Sequence, residues 1–204
     1  MEGIQLRKMN SPVIKAIYVA GVTTFCTFLG CWAVLAHQEN TQMAGKPASM
    51  DGTFVKKAAQ GGMAEVKLGQ LAQSNGSNDA VKQFGQRMVT DHSQANDQLK
   101  DAASKEHLTV PTDVSAKDQA TYDSLSKLSG SAFDKAYARD MVKDHETDIA
   151  DFNKEATGGQ KDAIKNFASE TLPTLKDHLK QAREMRQAVG GAPSSTKKSA
   201  SGQR

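Results

Sequence analysis

MVTDH at residues 88–92 recurs as MVKDH at residues 141–145. The correspondence extends outward at the same offset, with Phe84 answering to Tyr137, Leu99 to Phe152 and Ala103 to Ala156. Positions 84, 88, 92, 95, 99 and 102 step by three or four, the spacing of one face of an α-helix. His92 lies on that otherwise apolar face, and His145 lies on the matching face of the second copy: Tyr137, Met141, His145, Ile149, Phe152, Ala156.

Two further stretches carry the same helical period. One aligns Phe54, Ala58, Gly61, Glu65, Leu68 and Ala72; the other aligns Phe167, Thr171, Leu175, His178, Ala182 and Met185. The pattern predicts long helices over about 51–75, 78–106, 131–157 and 160–187, with Gly76, Gly130 and Gly158-Gly159 between them. Ser77 or Asn78 is placed to cap the second helix, and Ser131, with Asp134 three residues later, the third. Pro173 is expected to kink the last helix. Strand-type alternation is absent. Four helices with one apolar stripe each must pack on one another, so the fold class is all-α, a four-helix bundle. The first two and the last two helices are joined by short turns. The connector 107–130 contains Pro111 and a shorter helical stretch at about 115–128, and it is long enough to return along the bundle. That single long crossover is the ferritin-like connectivity.

The flanks read differently. Arg7, Lys8 and Lys15 precede AIYVAGVTTFCTFLGCWAVLA, 21 uncharged residues ending at Ala36. A basic start, an apolar run and small residues fit a secretory signal over 1–36, cleaved after Ala36. The same run is long enough for an uncleaved membrane anchor, and FLGC at 28–31 loosely fits a lipoprotein box. Each places the domain in the periplasm or cell envelope. Residues 37–50 read as a linker, 51–187 as the bundle domain, and 188–204 as a disordered basic tail.

Charge excludes one function class. The formal net charge is +3, but the basic excess sits at the two ends; between them 20 basic residues face 22 acidic ones. A nucleic-acid partner needs a basic face, and the near-neutral balance of the bundle argues against one. Both cysteines, Cys26 and Cys31, lie in the N-terminal run, so the domain holds neither a disulfide nor a thiolate ligand.

Each helix therefore sets one ionisable residue on its apolar stripe. Glu65, His92 and His145 are each the 15th residue of their predicted helices and His178 the 19th, which puts all four near mid-height. Leucine is the less demanding choice at such positions, because buried polar groups must be paired or bound to a metal. Two readings follow. One is a buried His–carboxylate hydrogen-bond network that fixes helix register. The other is a transition-metal site formed by His92, His145, His178 and Glu65, with Asp91 and Asp144 as further ligands or as partners that orient the imidazoles. Zinc, copper and iron all suit this set. Met88 and Met141, four residues before their histidines, suit Cu(I), but they also suit the flexible filling of a helical core. His37 and His107 fall away from the stripes.

FVKKAAQGGMAEVKLGQLAQ (54–73), VKQFGQRMVTDH (81–92), FDKAYARDMVKDH (133–145) and FASETLPTLKDHLKQA (167–182) together resemble a bacterial family of predicted secreted or outer-membrane proteins, domain-of-unknown-function family 4142, related to the ferritin-like bundles. The resemblance spans about 51–187. It implies a ferritin-like fold and maps the recurring polar positions of the family onto Glu65, Asp91, His92, Asp144, His145 and His178. No helix shows the Glu-x-x-His spacing of di-iron bundles; Glu65 is followed by Leu68 at that distance. The expectation is an exported bundle that handles metal or protects against stress, rather than one that turns over a substrate. The alternatives are a non-catalytic interaction module and a di-metal oxidase or peroxide-consuming enzyme, for which Glu65, Asp91 and Asp144 would have to supply the carboxylates.

Overall fold

The computed structural model describes residues 49–190. The expected signal or anchor over 1–36, nearly all of the linker and most of the tail lie outside the described residues. The described chain is helical throughout: α1 (Met50–Asn75), α2 (Asp79–Lys105), α3 (Ala116–Leu125), α4 (Gly130–Gly158) and α5 (Asp162–Gly190). The helix ends follow local chemistry. Ser49 Oγ accepts from Gly52 N at 3.0 Å, Asn78 Oδ1 from Ala80 N at 2.9 Å, and Ser115 Oγ from Asp118 N at 3.1 Å. No helix among the described residues is long and apolar enough to cross a membrane.

α1 packs on α2 and α4 on α5, and the two hairpins join through α2–α5 and α1–α4 contacts, with α3 laid against α1 and α4. Glycine allows the first hairpin to close tightly. A Cβ on Gly69 would stand 2.5 Å from the Gly85 carbonyl oxygen, and one on Gly85 would stand 2.7 Å from the Gly69 oxygen. Gly62 similarly lies under Asn96, whereas Gly61 has open space.

Two buried aspartates tie the hairpins together reciprocally. Asp134, early in α4, accepts from Ser77 N at 3.0 Å, Asn78 N at 3.1 Å and the Ser77 hydroxyl. Asp51, at the start of α1, accepts from Gln160 N and Lys161 N, both at 2.8 Å. These bonds set the beginnings of α2 and α4 at one end of the bundle and those of α1 and α5 at the other. Every adjacent helix pair is thus antiparallel. α2 and α4, which carry the repeated M-V-x-D-H, run parallel across the diagonal.

Two sequence expectations shift, the N-cap of α4 and the end of α5. Ser129, not Ser131, is the N-cap residue of α4, without a side-chain bond, and Gly130 opens the helix at φ +58°; the carboxylate of Asp134 is taken by the α1–α2 turn instead. α5 continues through Pro173 as one helix. It also runs past 187 to Gly190, because Val189 still buries its side chain against the core.

Glu155 is 1% exposed, with no hydrogen-bond partner for either oxygen among the described residues. Burial first, and then the negative charge of Asp51, push its carboxyl up to about 7. A carboxyl whose pKa is raised by folding adds stability below its unfolded value, and that contribution disappears as pH rises through the folded value. Glu155→Gln should therefore raise the melting temperature at pH 8 and leave it nearly unchanged at pH 4.5. The expected gain is about 4 °C, or about 1 kcal/mol, discounted because the pair lies near solvent at the end of the bundle. Equal gains at both pH values would show that the acid titrates elsewhere.

Candidate metal centre

The apolar core is two clusters rather than one. Phe84, Met88, Phe133, Tyr137, Met141 and Met185 belong to the cluster at the α1–α2 turn end; Phe54, Leu99, Phe152, Ile164, Phe167 and Leu175 belong to the other. Between them, one residue from each long helix forms a polar layer: Glu65 from α1, His92 from α2, His145 from α4 and His178 from α5. All four are buried, Glu65 and His178 to 1% exposure and His145 to none.

The three imidazoles surround one point. Their ring centroids are 5.9 Å apart for His92–His145 and 5.3 Å apart for each of the other two pairs. One nitrogen of each ring has an acceptor. His92 Nδ1 donates to Glu65 Oε2 at 2.9 Å, His145 Nδ1 to the Met141 carbonyl at 2.9 Å, and His178 Nε2 to Asp91 Oδ2 at 2.8 Å. Those acceptors fix the tautomers. His92 Nε2, His145 Nε2 and His178 Nδ1 are left with lone pairs and no partner among the described residues, as is Glu65 Oε1. Each histidine offers a ring nitrogen within 4.8 Å of those of the other two. Glu65 Oε1 lies 3.5 Å from His145 Nε2.

The electrostatics suit a cation. Burial pushes His92 and His178 down to about 4 and lowers His145 as well, so all three rings are neutral at pH 7. Burial likewise pushes Glu65 up to about 8. A positive ion at the centre would supply the charge that a buried Glu65 carboxylate lacks. Phe84 closes the layer from one side, edge-on to His145 and His178 with centroids at 6.1 and 6.4 Å. A void of about 20 Å³ touches Glu65, His92 and Asp148, room for about one water.

The remaining sequence candidates separate. Asp91 does not bond its neighbour His92; it reaches across to His178 on α5. Arg87 Nε holds it at 3.1 Å and in turn binds Asp177 through Nη1 at 2.8 Å. Burial opposes ionisation of Asp91, but His178 and Arg87 outweigh it and keep the carboxyl below its ordinary range. Asp91 thus orients an imidazole, the role by which a carboxylate raises ligand basicity. Asp144 stands apart from the imidazoles and groups with Glu65 and Asp148. Asp148 was not legible as a site residue, because it lies off the apolar stripe; the signal was its i,i+4 spacing from Asp144. Met88 and Met141 pack in the apolar cluster, and His107 is exposed at the end of α2.

The domain-of-unknown-function family DUF4142 matches residues 36–185. No curated protein matches the chain. Among solved structures, a DUF305 protein predicted to be secreted, from Streptomyces coelicolor, is similar with a TM-score of 0.61 at 11% identity, covering 72% of this chain and 96% of that one. A DUF305 fragment from Deinococcus radiodurans has a TM-score of 0.59 at 14% identity, covering 71% and 99%. At these identities the likeness is one of fold.

Proposed function

We propose that this chain, which belongs to the DUF4142 family, is an exported envelope protein whose bundle holds one transition-metal ion on His92, His145, His178 and Glu65. The observation that carries the reading is the convergence of three neutral imidazoles, each with its distal N–H bonded and its other nitrogen free. A hydrogen-bond network without metal would leave four buried polar atoms unsatisfied, at about 1–3 kcal/mol each. Three imidazole nitrogens and one carboxylate suit zinc, copper or iron, with copper(II) the tightest on intrinsic affinity.

The role that fits is metal handling or stress protection outside the cytoplasm. Both the N-terminal basic and apolar segment and the fold shared with a protein predicted to be secreted support export. The enclosure by Phe84 and by apolar clusters on both sides favours holding an ion over turning over a substrate. A di-metal oxidase would need an open coordination position.

Metal analysis of protein purified without a polyhistidine tag tests the reading. After incubation with zinc or copper and removal of excess, about one ion per chain should remain, since a structural or storage site fills. A content below ~0.1 per chain would overturn it and leave the hydrogen-bonded network as the explanation of the layer.

A further inference from the structure

Glu65 has a second set of neighbours. Oε2 is engaged by His92, while Oε1 has no hydrogen-bond partner in a side chain only 1% exposed. On the α4 side, Asp144 and Asp148, one helical turn apart, each bring a carboxylate oxygen within 4.8 Å of the other and of a Glu65 oxygen. Among the described residues no donor bonds Asp144 or Asp148 and no cation pairs with them. Two other acids of the same helix are matched, Asp151 with Lys57 at 2.9 Å and Glu146 with Arg183 at 2.8 Å. Three converging carboxylates with no cation bonded to them repel one another, and burial adds to the cost.

The group also has a route to solvent. A cavity of about 100 Å³ between α1, α3 and α4 is lined by Asp118, Asp140 and Asp144, with Lys117 and Lys143 at its wall. On the far side, the one-water void reaches Asp148, Glu65 and His92. The oxygens thus stand between an acidic entrance and the histidine layer.

We propose that Glu65, Asp144 and Asp148 bind a second divalent cation, of the hard, oxygen-preferring class that includes Mn(II), with Glu65 shared between this site and the histidine centre. The donor set is oxygen only, the choice of hard cations, which complete their shells with water. The cavity supplies that water. The site stands on its own carboxylates and does not require the histidine centre to be filled.

Electron paramagnetic resonance of Mn(II) added to the zinc-treated protein tests this, with Asp148→Asn and His145→Ala as the two arms. Wild type should immobilise about one Mn(II) per chain, and Asp148→Asn should weaken that binding about 10-fold or more while keeping its zinc. His145→Ala should lose zinc yet retain Mn(II), so that failure of either site is seen separately. A melting temperature of metal-free Asp148→Asn at or above that of wild type shows that the variant is folded. Free Mn(II) in the presence of wild type, or undiminished binding by Asp148→Asn, would overturn the proposal.

Discussion

Zinc or copper should raise the melting temperature of the wild-type protein, and replacing His145 with alanine should abolish that rise. An ion present at a hundred times its dissociation constant stabilises the folded state by about 2.7 kcal/mol. For a domain of this size that is a shift of about 10 °C. His145 is fully buried and its ring is fixed by the Met141 carbonyl, so solvent cannot supply the missing nitrogen. Loss of one of four ligands should lower affinity by at least ~100-fold, beyond the 10–100-fold typical of losing an orienting partner. Asp91→Asn is the informative contrast. It keeps all three imidazoles and removes only the carboxylate behind His178, so part of the shift should survive, with an affinity about 10-fold lower. Scanning fluorimetry across a metal titration reads both. A full shift in His145→Ala would place the ion somewhere else.

The paired substitution Glu65→Leu with His92→Leu should act in the opposite direction on the metal-free protein. Glu65 and His92 bond each other at 2.9 Å, so removing both leaves neither partner stranded. Leucine at both positions would join the apolar clusters above and below the layer. Replacing both partners of a buried hydrogen bond with apolar groups is nearly neutral or stabilising, within the range of about 1–4 kcal/mol found when buried ion pairs are replaced. The expected gain is about 2 kcal/mol, or about 8 °C, with metal binding lost. Single substitutions should do worse than the pair, because each strands a buried partner. A pair less stable than wild type, measured without metal, would mean that the layer holds the bundle together as a hydrogen-bonded network.

The fold was legible because its period is redundant. Four stripes, glycine punctuation and one long connector leave few arrangements, and the observed helices begin and end within about three residues of the expected ones. The four layer residues were legible for the same reason: an ionisable group on an apolar stripe stands out. Partnership was not legible. Asp91 sits next to His92 in sequence, yet about 100° round the helix from it, and so meets α5 and His178. Asp51 gave no periodic signal, because it is held by the α4–α5 turn of the other hairpin, from whose Gln160 and Lys161 N–H groups it accepts hydrogen bonds. Ser131 looked like a cap by spacing alone, but the carboxylate expected to complete the box had stronger donors in Ser77 and Asn78.

The division of the core into two apolar clusters bears on how an ion would leave. With Phe84 over the imidazoles and packed side chains at either end, an ion leaving the histidine centre along the bundle axis requires one half of the bundle to part, and the other way out passes the carboxylates of Glu65, Asp144 and Asp148. Along the axis, release is gated by the opening of whichever half separates more readily. Faster amide exchange in that half should then go with a shorter lifetime of the bound ion.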